Sequence, residues 1–367
     1  MDKIKKNFGF GCMRLPMIGE EVDYAEFNRM IDTFLEAGFN YFDTAHGYIG
    51  GKSETAIRDC LAARHPRESY ILTNKLSPGY FNTQEEIRPL IDSQLNLCGV
   101  EYFDFLLMHA MNNTRFDFYQ QVGAFDEALA LKAEGKIRHM GISFHDKAAV
   151  LDRILTERPD IEVVQIQFNY LDMEDPVVES RACYEVCRKH RKPIIVMEPV
   201  KGGKLALMSE DALAVYKELG EMSPASYAIR FVAGHEGVMM TLSGMGNMDM
   251  MNDNLSYMKD FQPLNEAEME AVKKVADILT KQNQVACTGC QYCVDGCPAG
   301  IKIPDLFTAL NAKRVLHDPK ADALYKTYTE NAGKASSCVE CGQCEEACPQ
   351  HLPIRQLLKL TTKIFET

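Results

Sequence analysis

The sequence predicts an α/β protein: a (β/α)8 barrel of the TIM type followed by a smaller, mainly α-helical, cysteine-rich domain. Three observations carry that prediction. Short, buried-looking apolar runs alternate eight times with amphipathic stretches over about 250 residues, which is the period of a (β/α)8 barrel. Of the 13 cysteines, Cys12, Cys60, Cys98, Cys183 and Cys187 are scattered, whereas the other eight all follow Val285. A chain of 367 residues also suits two or three domains at about 150 residues each. The expected division is a barrel over residues 1–262, a linker helix over 263–285 and a cysteine-rich domain over 286–367.

The strands are expected at Gly9–Arg14, Asn40–Asp43, Tyr70–Lys75, Phe103–His109, His139–Ser143, Val163–Gln167, Pro193–Met197 and Val238–Leu242. Helices fill the intervals. Tyr24–Ala37 carries Phe27, Met30, Ile31, Phe34 and Leu35 at three- and four-residue spacing and is stopped by Gly38. Thr83 and Glu86 form a capping box that opens a helix running to Leu97. An open doubly wound sheet is the competing architecture, but the turn after the first strand lacks the G-x-G-x-x-G dinucleotide loop.

Composition narrows the function classes. The balance of 40 basic and 52 acidic side chains gives a charge of −12, and no basic stripe is present, which argues against duplex nucleic acid as a partner. At 46% hydrophobic and 25% charged the chain has material for a large core. No apolar run of ~18 residues predicts a membrane span, and no apolar export segment precedes Gly11. The cytoplasm is the expected compartment, because the cysteines accompany neither an export signal nor a core too small to stand without disulfides.

In barrel enzymes the chemistry lies at the C-terminal ends of the strands. Here Asp43 ends the second strand, Lys75 the third and His109 the fourth, while Tyr48 follows in the glycine-bearing loop DTAHGYIGGKSE. Each alone has a structural reading: a buried ion pair for Asp43 and Lys75, a satisfied core histidine for His109. Together at adjacent strand ends they form a proton-delivery set for a carbonyl oxygen. Free tyrosine, with a pKa of about 10, is a poor acid at neutral pH. A lysine ammonium beside it favours the phenolate, an aspartate holds the lysine charged, and a histidine hydrogen-bonds the oxygen on which negative charge develops.

Residues 8–255 resemble the aldo-keto reductase family. The likeness rests on FDTAHGY with Asp43 and Tyr48, LTNK with Lys75, LLMHA with His109, and KIRHMGIS with Gly141 and Ser143. It implies NAD(P)-dependent reduction of a carbonyl, or oxidation of an alcohol, with Tyr48 as general acid, Lys75 and Asp43 as its tuning pair and His109 as the orienting group. It further implies a nicotinamide, of NADP(H) or NAD(H), held by Ser143 and Gln165, with the pyrophosphate and adenosine near Ser243, Gly244, Asn247 and Asn254. Four positions depart from the family pattern. Phe144 stands where an asparagine is usual, with His145 next to it, and Met197 replaces a stacking tyrosine. Gly244 and Met250 replace the basic pair that often grips a 2′-phosphate. Lys201 and Lys204 are either an alternative phosphate grip or solvated surface.

In the tail, Cys287-x2-Cys290-x2-Cys293-x3-Cys297-Pro298 is repeated as Cys338-x2-Cys341-x2-Cys344-x3-Cys348-Pro349. Zinc knuckles use paired C-x2-C, so a third cysteine at the same spacing is one too many. The run is that of bacterial ferredoxins, in which the fourth cysteine ligates the other cluster. Two [4Fe–4S] clusters are expected, one on Cys287, Cys290, Cys293 and Cys348, the other on Cys338, Cys341, Cys344 and Cys297. The long spacer Pro304–Ala332 reads as helical, with Leu306, Leu310, Val315, Leu316, Leu324 and Tyr328 as its apolar residues. It resembles the α-helical dicluster ferredoxin domains fused to oxidoreductases. Nicotinamides deliver two electrons as hydride whereas each cluster passes one. Three functions therefore stand: a carbonyl reductase with structural or sensing clusters, an enzyme whose clusters exchange electrons with a ferredoxin or flavoprotein partner, and a scaffold whose barrel no longer turns over. The intact set at Tyr48, Lys75, Asp43 and His109 favours the first.

Overall fold

A computed structural model describes residues 1, 3–282 and 284–366. The chain forms two compact units, Met1–Pro199 with Ser226–Leu264, and Val200–Ala225 with Asn265–Thr367.

In the first unit eight parallel strands close into a barrel: β1 (Phe8–Gly11), β2 (Tyr41–Asp43), β3 (Ile71–Leu76), β4 (Phe103–Met111), β5 (Ile137–Phe144), β6 (Val163–Gln167), β7 (Ile194–Met197) and β8 (Val238–Ser243). Each expected strand is present, with ends displaced by a few residues; β1 stops at Gly11, three residues short of Arg14. Side chains alternate along a strand, and the inward set of the lower barrel is Tyr41, Ile71, Phe105, Leu107, Val163, Ile195, Met240 and Leu242. Glycine is required where this layer crowds a strand: a Cβ on Gly141 would lie 2.5 Å from Val163 Cγ1 and 2.7 Å from Leu107 Cδ2.

Helices sheath the strands for the reasons written in their sequences. The helix Tyr24–Glu36 starts at Asp23, whose carboxylate accepts from the Glu26 N–H at 3.0 Å, and buries Phe27, Met30, Ile31 and Phe34. In the helix Gln84–Cys98 the Glu86 carboxylate reaches back to the N–H groups of Asn82 (2.6 Å) and Thr83 (3.3 Å), and Gly99 closes it in the left-handed conformation. Cys183 and Cys187, a turn apart on Ser180–Lys189, are buried as small apolar side chains.

In the second unit, helix Glu266–Lys281 packs against helix Glu210–Lys217. Lys201, given surface exposure as one of two readings, is buried, and the adjacent Gly202 lies so close to the cysteine-rich segment that a Cβ there would stand 2.4 Å from the Thr288 carbonyl oxygen. The spacer forms helices Ile303–Arg314 and Ala321–Thr329. Leu306 and Leu310 enter the core with Ile301, Ile354, Leu358 and three of the motif cysteines. Leu316 is 43% exposed, because the first of these helices has ended before it. No described helix is long and apolar enough to cross a membrane.

Candidate active site and cysteine sites

The alternation that fills the lower barrel also builds the site above it. Two residues beyond Tyr41 is Asp43, beyond Thr73 is Lys75, beyond Leu107 is His109, and beyond Val163 are Gln165 and Gln167, so all of these face inward at the strand ends. The Lys75 Nζ donates to Asp43 Oδ1 at 2.5 Å and to the Thr44 carbonyl at 2.8 Å, and Gln165 Nε2 donates to Asp43 Oδ2 at 3.2 Å. Burial pushes the Asp43 carboxyl up from its ordinary range, against the lowering effect of the Lys75 ammonium.

Tyr48 reaches this pair from its loop. The turn is pinned by Gly51 N–H and Ser53 N–H, both donating to the Tyr48 carbonyl (3.1 and 3.2 Å), with Gly47, Gly50 and Gly51 at positive φ. Ser53 Oγ donates to the Cys12 carbonyl at 2.8 Å and lies 2.7 Å from Thr44 Oγ1. The Lys75 ammonium lies 5.0 Å from the Tyr48 ring centre, and the Tyr48 and His109 rings are 6.0 Å apart, edge to face. His109 Nδ1 is 2.6 Å from Ser77 Oγ. Burial, then the charges of Lys75, His145 and Arg115, hold the His109 imidazole well below its usual range, so it stays neutral near pH 7.

The remaining predicted contacts divide. Ser143 lies at the same level as Gln165 and its Oγ accepts from the Ala110 N–H at 2.9 Å. Ser243 and Asn254 are joined by Asn254 Nδ2 donating to Ser243 Oγ at 2.7 Å, and Tyr257 donates to the same asparagine. Asn247 caps the helix Met248–Met258 by accepting from the Met250 N–H at 2.9 Å. The Glu26 carboxylate also sits there, accepting from the Met248 N–H at 3.0 Å. Gly244 lies beside Arg14, whose Cβ is 3.7 Å from where a glycine substituent would stand. Gln167 Nε2 is buried with no hydrogen-bond partner among the described residues. A buried orphan donor at a barrel mouth suits a bound ligand that accepts from it, which is the fit expected of a nicotinamide pocket.

Sequence reasoning missed Ser77, Glu54 and Arg115. Ser77 stands two residues past Lys75, hence on the same face of the chain, and that spacing was available as a signal. Glu54, fully buried, accepts from Asn74 Nδ2 (2.8 Å) and Gln94 Nε2 (3.2 Å) and meets His46 Nδ1 at 2.7 Å, which braces the Tyr48 loop from below.

In the second unit the two cysteine motifs share one backbone course. Gly289 and Gln291 (φ 67° and 68°) correspond to Glu340 and Gly342 (φ 57° and 86°), each pair flanking the second cysteine of its motif. Left-handed residues placed this way form the concave turns that hold anionic groups, iron–sulfur centres among them. Cys293 neighbours Cys290, Cys287 and Cys348. Cys297, from the first motif, lines a small opening together with Cys338, Cys341, Cys344 and Arg355. The two sets are therefore crossed, as the ferredoxin spacing requires. Among the described residues no three His, Cys, Asp or Glu side chains converge on a point fit for one metal ion. The second set surrounds a space instead, which is what a four-iron cluster needs.

A protein-family model for the aldo/keto reductase family matches residues 7–277, and one for the 4Fe-4S dicluster domain matches residues 286–353. The chain belongs to the aldo-keto reductase family and carries a C-terminal 4Fe–4S dicluster domain. The uncharacterized oxidoreductase YqkF of Bacillus subtilis is 23% identical over 291 residues, 72% of this chain and 90% of its own length. Among solved structures, the holo form of an aldo-keto reductase from Bacillus halodurans superposes with a TM-score of 0.61 at 23% identity, covering 73% of this chain and 91% of its own. An aldo-keto reductase from Klebsiella pneumoniae in complex with NADPH gives 0.59 at 17% identity, covering 74% and 90%. These likenesses establish an oxidoreductase on a closed parallel barrel.

Proposed function

We propose that the barrel reduces a carbonyl compound to an alcohol with a bound nicotinamide, and that Tyr48 delivers the proton. The nicotinamide supplies a hydride to the carbonyl carbon. Ser143, Gln165 and Gln167 within the barrel would contact it, with Ser243, Gly244, Asn247 and Asn254 at the far strand end. As charge grows on the carbonyl oxygen, the Tyr48 hydroxyl gives up its proton, and the Lys75 ammonium stabilises the phenolate left behind. Asp43, held by Lys75 and Gln165, keeps that ammonium charged and fixed. A neutral His109, with Ser77 donating to Nδ1, presents an Nε2–H to the same oxygen. Solvent then reprotonates Tyr48.

The observation that carries this reading is the convergence of Tyr48, Lys75, Asp43 and His109 on one barrel mouth. The two crossed cysteine sets would hold the [4Fe–4S] clusters, and we assign those clusters a structural or sensing role. Glu26 at the start of helix Met248–Met258, where the resemblance puts the adenosine end, favours NADH over the more negative NADPH. Tyr48→Phe tests the assignment. Carbonyl reduction is expected to fall by a factor of about 10² or more while nicotinamide binding, followed by fluorescence, is unchanged. Retained activity would remove Tyr48 from the reaction.

A further inference from the structure

We infer that the substrate is a carbonyl compound bearing a carboxylate, and that Arg115 binds that carboxylate. The inference rests on the carbonyl-reduction reading and deepens it.

Arg115 lies in the first turn of the helix Asn113–Gln121, which follows β4 directly. Its Nη1 donates to the Ala110 carbonyl at 2.8 Å, so the guanidinium folds back over the strand end, one peptide from His109. Ala110 itself takes a left-handed turn, φ 54°, with its N–H held by Ser143 Oγ at 2.9 Å. That bond engages only one arm of a side chain with five N–H donors.

No described carboxylate pairs with Arg115. Other arginines of the protein have such partners: Arg67 pairs with Asp104, Arg153 with Asp117 and Glu157, Arg158 with Asp160, and Arg355 with Glu345. The nearby acids are committed elsewhere. Asp43 is taken by Lys75 and Gln165, and Asp146 accepts from the N–H groups of Asn113 (2.9 Å) and Lys147 (2.8 Å). The charges of Lys75 and Arg115 both act on His109, and Lys75 already has its carboxylate in Asp43, so Arg115 is the charge at this strand end left for a ligand. A planar guanidinium fork matches a carboxylate in two parallel hydrogen bonds. A half-buried, acid-free fork held at the carbonyl of the residue after His109 is suited to a substrate anion.

The test compares two aldehydes of one chain length, butanal and 4-oxobutanoate, with the full-length, cluster-loaded enzyme saturated with nicotinamide. Butanoate binding, measured by calorimetry, reads the anion site without turnover. The native enzyme should prefer 4-oxobutanoate in kcat/KM. Arg115→Gln should lose roughly ten- to hundred-fold on 4-oxobutanoate, mostly through KM, and lose butanoate binding, with a much smaller loss on butanal. Arg115→Lys should recover part of the loss, and butanal turnover shows that each variant is folded. Equal loss on both aldehydes would mean that Arg115 only braces the strand end, and equal use of both by the native enzyme would also overturn the inference. If neither aldehyde consumes nicotinamide while butanoate binding still depends on Arg115, the anion site stands and the carbonyl-reduction reading fails.

Discussion

Asp43 and Lys75 are buried charges that exist only as a pair, since removal of either partner leaves the other uncompensated at a cost of about 3–5 kcal/mol. His109 is buried in the opposite sense, as a neutral group. Its folded pKa lies below 6.5, so between that value and 6.5 the unfolded chain binds the extra proton. Stability from this residue is therefore full above about 6.5 and declines as the pH falls through the window. His109→Gln should flatten the dependence of the barrel's melting temperature on pH between about 7 and 5, as read by circular dichroism; an unaltered slope would show that the imidazole is not held neutral. The clustering of the residues proposed for proton delivery was legible because strand alternation and strand ends place them. Arg115 was not, because the role proposed for it depends on which carboxylates are already taken, and that is decided by packing between elements distant in sequence.

At the scale of elements, the apolar runs located all eight barrel strands, since a buried parallel strand leaves a continuous apolar signature. Their ends drifted because hydrogen bonds to neighbouring strands set the limits. The helix Met248–Met258 shows what the pattern conceals. Its N-terminus, expected beside the adenosine end of the cofactor, is occupied by a carboxylate from Glu26, 222 residues away along the chain. Glu26→Gln should remove that repulsion and raise the affinity for NADPH relative to NADH by roughly ten-fold, an electrostatic contribution of about 1 kcal/mol or somewhat more at a helix terminus. Paired dissociation constants for the two nucleotides check it, and an unchanged ratio would place the 2′-phosphate elsewhere. The cysteine motifs were more fully legible than any strand, because ligand spacing is a covalent constraint that tertiary packing does not revise.

For the whole molecule, a family barrel and a dicluster domain occupy one chain, and residues 200–225, which interrupt the barrel sequence, belong to the compact unit that holds the cysteines. That grouping was not legible, because the segment lies about 60 residues before the first motif and has no cysteine of its own. The possible roles of the clusters differ in where the electrons go. A nicotinamide hydride passed to a carbonyl needs no cluster, whereas exchange with the clusters would need a two-to-one-electron converter. The most direct measurement is an anaerobic titration of cluster-loaded protein with NADH, recording nicotinamide absorbance and the iron–sulfur EPR signal with and without a carbonyl substrate. Nicotinamide consumed one-for-one with carbonyl, with the clusters unchanged, is the predicted result. Clusters reduced by NADH in the absence of any carbonyl would contradict it.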